Sequence, residues 1–563
     1  MGCFIGQLAM AIIKSVVKIS WTILYKTGLY WLVLGFGCNE MYKQSKTVND
    51  RMSWMVLAYI CLAGTVIAII NRIMTKLLKR KFNLVTEPFK ALKEGIAGAG
   101  AGKEKGYYSK LKNKSMNVKG TILAKEKMRY VEIPNEEISH TSIIGGTGSG
   151  KTVNLLATIL TNPCSMLILD GKDGGEIRQK SEKVRRDVLN QAIKYYDPDD
   201  TNTFKFNPFE QFQYSEISDY TDVADKMANN MIEKSSQEKN SMWVDNARIL
   251  LSGIILYNVL CKNDFRNTME FVQLHSINEI IDIIKNAYEN DNEKFKQAYK
   301  KIAFFNGMAD ETLTGINSNM MSKLSAFSSE KVLNSLSGFG NYISPADLEK
   351  NTTIYFNMEL SKAQDQWKAV SKLFLNAFFD YFSKRGKEIA INNVKPKKVL
   401  FILDEFTNYG SINKIENQVS LIRSAGVSMI IAFQSLSQID SVYGKDVRKI
   451  LLDNMSYQVV LKIKDEETAK SYSNMTGTFD KKRISKSQNN NLNQFGMDNG
   501  FGNGINTGYE EKNLIKPEEF AYLPDKNECI LFMPDGIAKC KKVLYYKDTK
   551  IQNLINIKKK GDI

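Results

Sequence analysis

Histidine is almost missing from this chain: its 563 residues include only His140 and His275. Seven cysteines are present (Cys3, Cys38, Cys61, Cys164, Cys261, Cys529 and Cys540), but no two stand in a Cys-x-x-Cys pair. So few imidazoles and no paired thiols leave no ligand spacing for a zinc site. Isolated cysteines in apolar surroundings read instead as buried thiols in a reducing compartment. The start Met1-Gly2-Cys3 fails the myristoylation pattern, because position six is Gly6 and not Ser or Thr. The body also lacks an excess of positive charge, although the whole chain carries +16. Residues 1–118 hold 18 Lys/Arg against 5 Asp/Glu, and residues 539–563 hold 8 Lys against 2 Asp, so the stretch between them carries −3. The positive charge lies mostly beside apolar segments, where anionic lipid is the simplest partner, and it does not by itself argue for nucleic acid.

Two apolar runs near the start are the candidates for crossing a membrane. Residues 54–70 hold no charge over 17 positions, and residues 19–38 hold a single one, Lys26. Trp21, Tyr25, Tyr30 and Trp31 supply interfacial aromatics. Lys14, Lys18 and Lys26 interrupt the first run, which argues against a cleaved signal peptide. Arg72, Lys76, Lys79, Arg80 and Lys81 follow the second run, so the expected hairpin has both termini and the body in the cytoplasm. A chain of this length exceeds one compact core, and two or three domains are expected. The expected division is a membrane anchor at 1–75 and a basic, Gly/Ala-rich linker at 76–118. A nucleotide-binding domain follows at 119–212 and 346–540, interrupted by an all-α insertion at 213–345. A basic tail at 541–563 ends the chain.

What the body does contain is a phosphate-binding pattern. Residues 145–152 read GGTGSGKT after the apolar run Thr141–Ile144. Gly145, Gly150, Lys151 and Thr152 match every fixed position of G-x-x-x-x-G-K-[ST]. In such a loop the backbone N–H groups of Gly145, Gly146, Thr147, Gly148, Ser149 and Gly150 form a nest for phosphates. Lys151 adds a point charge, Thr152 a hydroxyl for Mg²⁺, and the helix expected from about Val153 adds its positive end. ATP and Mg²⁺ are the expected ligands. Further short apolar runs suit buried parallel strands: MLILD (166–170), TIYFNM (353–358), VLFILDEF (399–406), SMIIAFQ (428–434), YQVVLKI (457–463) and CILFM (529–533). Alternating with helical patterns, they predict an α/β sheet with helices on both faces. Residues 213–345 break this rhythm with helix-period patterns alone. Residues 486–508, rich in Asn and Gly, are expected to be a mobile loop.

VLFILDEF ends in two carboxylates. Asp404 is expected in the Mg²⁺ shell, and Glu405 as the group that polarises the attacking water. Gln434 ends SMIIAFQ, where α/β folds bind ligands, and is read as a γ-phosphate sensor or a strand-end amide satisfied by backbone. Arg423 is a candidate arginine finger for a neighbouring subunit, or a surface arginine. Asp170 and Lys172, in DGKDGGE after MLILD, lie close to the nucleotide with a structural or coupling role.

Taken in order, HTSIIGGTGSGKT, LILDGKDGGE, FNPF (206–209), MWVDNARILL (242–251), LFILDEF and IRSAGVSMIIAFQSLSQ (422–438) resemble the coupling-protein ATPases of type IV secretion and conjugation, the TraG/TraD-like family. The resemblance covers roughly residues 119–535. It implies a RecA-like P-loop domain, an inserted all-α domain and a homohexameric ring docked to the bacterial cytoplasmic membrane and its lipids. It implies delivery of a relaxase-bound single DNA strand, or of protein substrates, to a type IV secretion channel, with relaxosome proteins and channel components as partners. Lys151, Glu405 and Gln434 carry over as catalytic-site residues, and Thr152 and Asp404 as metal ligands. The family often has Asp-Pro-Lys-Gly-Glu where this chain has DGKDGGE, so roles do not transfer to Asp170 and Lys172. The chain ends soon after the core, which shifts substrate choice to the all-α insertion. The alternative is a membrane-tethered DNA pump for chromosome or plasmid partition, which predicts a winged-helix tail that does not follow residue 535.

Overall fold

The computed structural model describes residues 114–556 except 116–117, 173, 233–240, 339, 358–363, 490–501 and 523–526, together with short helical stretches within 40–58. The apolar segments expected to cross a membrane, about 19–38 and 54–70, lie outside the described residues apart from Trp54, Met55, Leu57 and Ala58. Among the described residues no helix is long and apolar enough to cross a membrane.

Sixteen strands follow one another along the described chain: β1 (Lys114–Ser115), β2 (Thr121–Glu126), β3 (Arg129–Ile133), β4 (Thr141–Ile144), β5 (Ser165–Asp170), β6 (Ala192–Tyr196), β7 (Lys205–Phe206), β8 (Tyr342–Ile343), β9 (Thr352–Asn357), β10 (Val399–Leu403), β11 (Val427–Phe433), β12 (Tyr457–Val460), β13 (Thr478–Asn489), β14 (Gly502–Asn513), β15 (Glu528–Met533) and β16 (Gly536–Lys541). Twelve of them form one sheet in the order β1-β3-β2-β16-β15-β12-β4-β11-β10-β5-β9-β6. From β12 to β6 every neighbouring pair is parallel. From β12 outward through β15, β16, β2 and β3 to β1 every pair is antiparallel. The run CILFM therefore forms a strand but not a parallel one. An apolar run reports burial on both faces, which a central strand has in either direction.

The parallel strands are apolar at every position because both faces are covered. Val399, Phe401 and Leu403 of β10 enter one hydrophobic cluster, whereas Leu400 and Ile402 enter another. This is the period-2 alternation of a strand sandwiched between helices. On the second face lie α1 (Lys151–Ile159) and α2 (Glu176–Asp187), through Leu155, Ile159 and Ile177. Between β7 and β8 the chain is mainly helical, and β7 pairs with β8 where it returns. Within this stretch α3 (Tyr220–Met231), α5 (Asn292–Ile302) and α6 (Asp310–Leu324) surround α4 (Ser241–Leu260). Every residue of α4 from Leu250 to Leu256 is buried, so this helix carries no exposed polar face over that stretch. The long α7 (Gln364–Asn392) covers the first face of the sheet, with Phe382 at 5.4 Å and Phe378 at 6.2 Å from the Phe401 ring. The helical stretch and this face share one continuous hydrophobic cluster.

β13 and β14 form a two-stranded sheet of their own. They take in 486–489 and 502–508, so the two ends of the expected loop 486–508 are strand. Local composition weighed against a strand, but cross-strand pairing supplies what it cannot signal. Residues 490–501 lie outside the described residues.

Two buried polar side chains tie the layers together. Arg185 of α2 is fully buried and has no carboxylate partner among the described residues. Its guanidinium donates instead to Ile159 O at 2.6 Å, Asn162 O at 3.1 Å, Cys164 O at 2.7 Å, Gln191 Oε1 at 2.9 Å and Thr353 Oγ1. The carbonyls at the end of α1 carry the negative pole of that helix, which suits a buried cation. His140, just before β4, accepts from Met429 N at Nδ1 (3.0 Å), while Nε2 donates to Val419 O (2.9 Å). Only the neutral ring fits both bonds. Burial lowers its pKa to about 4.

The unfolded chain takes up this proton near pH 6.5 and the native protein near 4, so the native state loses stability as pH falls between the two. Urea unfolding between pH 7 and 4.5 should show a loss approaching about 3 kcal/mol from this group. A His140→Gln variant should lack that part of the slope; an unchanged slope would refute the assignment.

Candidate functional site

The ends of β4, β10 and β11 build the site. β4 leaves the sheet at Ile144, and the chain turns through 145–150 into α1. Gly145 N donates to Phe433 O of β11 (3.2 Å), and Gly146 N to Lys462 O just past β12 (2.8 Å). The loop is thus fastened to both strands that flank β4. Gly145 has no room for a side chain: a Cβ there would lie 2.5 Å from Ser149 Oγ and 2.8 Å from Leu461 Cβ. Gly150, with φ 95°, makes the left-handed turn that starts α1.

Lys151 is 5% exposed. Its Nζ donates to Gly145 O at 2.9 Å and pairs with Glu405 Oε1 at 3.2 Å. Glu405 holds a left-handed backbone, φ 51°, which costs a non-glycine residue on the order of 1–3 kcal/mol and is typical of functional sites. Its other oxygen accepts from Gln434 Nε2 at 3.2 Å, and Gln434 Oε1 accepts from Thr147 Oγ1 at 3.2 Å. Thr147, Gln434, Glu405 and Lys151 therefore close a circuit from the loop across two strand ends and back.

A second set lies beside the first. Thr152 Oγ1 donates to Asp404 Oδ2 at 2.8 Å and accepts from Lys172 Nζ at 2.7 Å. Asp404 is fully buried, and Tyr409 Oη donates to its carbonyl at 2.7 Å. Burial holds the Asp404 carboxyl above the usual range, the Thr152 hydrogen bond opposes this, and the Glu405 charge adds to it. Asp170, at the end of β5, is raised to about 6, first by burial; its bond from Ile177 N pulls the other way and Asp404 adds to the rise. Asp170 accepts from Ile177 N at 2.7 Å and Lys172 N at 3.3 Å, so it anchors the start of α2.

Two buried oxygens here, Asp404 Oδ1 and Ser149 Oγ, have no hydrogen-bond partner among the described residues. Buried polar atoms left this way need an explanation, and in a loop of this pattern a ligand supplies one. A carboxylate oxygen beside a hydroxyl suits a hard divalent cation, and a hydroxyl donor beside Lys151 suits a phosphate oxygen. Among the described residues no group of three or more His, Cys, Asp and Glu could hold a metal. A cation here would take few protein ligands and complete its shell from water and phosphate, which is the habit of Mg²⁺.

Of the residues predicted for the site, the loop 145–152, Asp404, Glu405 and Gln434 come together. Arg423 does not. It is exposed near the end of α8 (Ile415–Ser424), where its Nε donates to Ile138 O at 3.2 Å. That is the starting end of β4 and β11, about 20 Å from Gln434 along the strand. Lys542 was not anticipated. One residue past β16, it donates from Nζ to Ser149 O at 2.8 Å. Only the fold of the distant β15–β16 hairpin brings it there, and nothing in the local sequence marks it.

A family model described as "Type IV secretory system Conjugative DNA transfer" matches residues 100–560. The type IV secretion system-coupling protein VirD4 of Bartonella quintana (strain Toulouse) is 22% identical over 432 residues, 73% of this chain and 63% of that protein. Protein VirD4 of Agrobacterium fabrum (strain C58 / ATCC 33970) is 23% identical over 75% of this chain and 61% of its own length. The chain thus spans less than two thirds of these curated relatives. Among solved structures, the bacterial conjugative coupling protein TrwBdeltaN70 in its unbound monoclinic form aligns with a TM-score of 0.56 and 16% identity, covering 79% of this chain and 91% of that one. The plasmid coupling protein TrwB in complex with ADP and Mg²⁺ aligns with a TM-score of 0.55 and 15% identity, over 79% and 92%. At such identities these structures establish a common fold.

A buried carboxylate crowded by Glu405 and Asp170 serves a ligand at the expense of stability. Asp404→Asn should raise the melting temperature measured without nucleotide, by the equivalent of about 1 kcal/mol. The same variant should lose most Mg²⁺-dependent nucleotide binding. A lower melting temperature would show that Asp404 is structural.

Proposed function

The chain belongs to the type IV secretory system conjugative DNA transfer family, and on that footing we propose that it is an ATP-hydrolysing coupling protein. Its cargo is a relaxase-bound single DNA strand, or protein, delivered to a type IV secretion channel. The observation that carries the reading is the circuit Thr147–Gln434–Glu405–Lys151 standing beside Thr152 and the unpartnered Asp404 Oδ1.

Each group has a task that follows from its contacts. Lys151 would exchange Gly145 O and Glu405 for the β- and γ-phosphates, since its ammonium already touches the first residue of the loop. Releasing Glu405 frees a carboxylate to orient and polarise the attacking water. Gln434 touches both Thr147 and Glu405, so phosphate contact at the loop reaches the water-activating group through one amide. Thr152 and Asp404 would hold Mg²⁺, which when bound supplies charge neutralisation on the phosphate oxygens. Ser149 Oγ adds a donor to the phosphate cradle, and Lys542 buttresses the loop from outside.

The proposal extends to a homohexamer anchored by residues 1–75 in the cytoplasmic membrane, with both termini inside, contacting lipid, relaxosome proteins and channel components. In a ring, Arg423 reaches a neighbouring subunit's nucleotide. Its exposed position away from its own site supports an action in trans. The helical stretch 213–345 is the part we assign to substrate choice.

Lys151→Ala should reduce ATP turnover to background and abolish plasmid transfer in mating; normal transfer by that variant would defeat the motor reading. Arg423→Ala should lower turnover while leaving nucleotide affinity within about twofold, and mixed into wild type it should inhibit beyond its mole fraction. Inhibition in simple proportion would count against action between subunits.

A further inference from the structure

Lys172 is the site's unassigned charge. Its Nζ lies 2.7 Å from Thr152 Oγ1 and 3.1 Å from Glu176 Oε2, so one ammonium bridges the P-loop helix and the first turn of α2. The Thr152 hydroxyl proton is directed to Asp404 Oδ2, 2.8 Å away, leaving only its lone pairs for cations. A Mg²⁺ ion on one lone pair and an ammonium on the other would stand about 4 Å apart, given the usual bond lengths. In a partly buried pocket, like charges at that distance strongly oppose each other.

We propose that Lys172 competes with Mg²⁺ for Thr152, and that binding of the metal–nucleotide complex transfers Lys172 wholly to Glu176. The inference rests on the reading that Mg²⁺ and nucleotide bind at this loop. It adds a positioning residue with a direction of movement. Asp170 holds both Lys172 N and Ile177 N, so the backbone at each end of the 172–177 turn is fixed. The movement is therefore confined to the Lys172 side chain. Glu176 is already engaged by Lys180, which leaves Lys172 as the mobile partner of a carboxylate that stays in place. Loading of the nucleotide site is thus reported at the start of α2, on the face of the sheet that carries the P-loop helix.

The test uses the purified full-length protein and a fluorescent ADP analogue titrated over a series of Mg²⁺ concentrations. Lys172→Met should lower the Mg²⁺ concentration for half-saturation by roughly five- to twentyfold, the scale of one partly screened charge repulsion. Lys172→Arg, which keeps the charge, should remain near wild type. Glu176→Gln removes the alternative partner and should raise the half-saturating Mg²⁺. Lys172 is about 40% exposed, so these variants are expected to fold, and melting curves check this. An unchanged Mg²⁺ dependence in Lys172→Met overturns the inference. So does a loss of ADP affinity that persists at saturating Mg²⁺, which would make Lys172 a phosphate ligand. A wild type that binds no nucleotide at any Mg²⁺ concentration sinks the parent reading, and this one with it.

Discussion

β11 lies between β4 and β10, and the register brings the ends of the three strands within two residues of one another. Ile144 stands beside Phe433, and Leu403 beside Ile431. A chain that leaves β4 as a loop therefore faces the residues that follow β10 and β11 at hydrogen-bonding distance. Lys151, Glu405, Gln434 and Thr147 meet only because of this order. Had β10 paired directly with β4, there would be no strand end between them for Gln434 to occupy. Both faces of β10 are apolar, so the register is fixed by the fit of particular side chains: a one-residue slip would exchange Val399, Phe401 and Leu403 with Leu400 and Ile402 between two differently packed clusters.

The site stands on a local conflict that the rest of the fold tolerates. Asp170 and Asp404 are both fully buried, and Glu405 is nearly so. Their charges are relieved by Lys151, by the Thr152 hydroxyl and by backbone N–H groups, but Asp404 Oδ1 is left without a partner. Glu405 adds a backbone conformation that non-glycine residues rarely adopt. Such arrangements persist where a surrounding core over-determines them, and here it consists of apolar strands covered on both faces.

Much of this was legible in the chain. The P-loop pattern and the acidic strand end carry their chemistry in adjacent residues, and the core strands announce themselves as aliphatic runs. What stayed hidden was non-local. CILFM reads as a strand, but its antiparallel direction depends on β12 and β16 beside it. Residues 486–489 and 502–508 read as loop because their Asn and Gly say nothing of the partner strand that pairs with them. Lys542 is one lysine among several in the closing residues, and only the return of β16 sets it on Ser149. Arg423 could be assigned to a site by motif order alone, yet its own chain holds it at the far end of the strands.

Arg185 has a mechanical meaning as well as an electrostatic one. Its guanidinium grips the carbonyls at the tail of α1 and reaches β9 and the strand-entry loop with the same rigid plane. A helix pinned at its tail cannot slide along its own axis like a piston. On the function proposed above, strain arising at the phosphate end would leave sideways, by tilting the helix about that pin or by passing through the strand ends. The P-loop helix is then the fixed post of the machine, and the moving parts are the neighbours that lean on it.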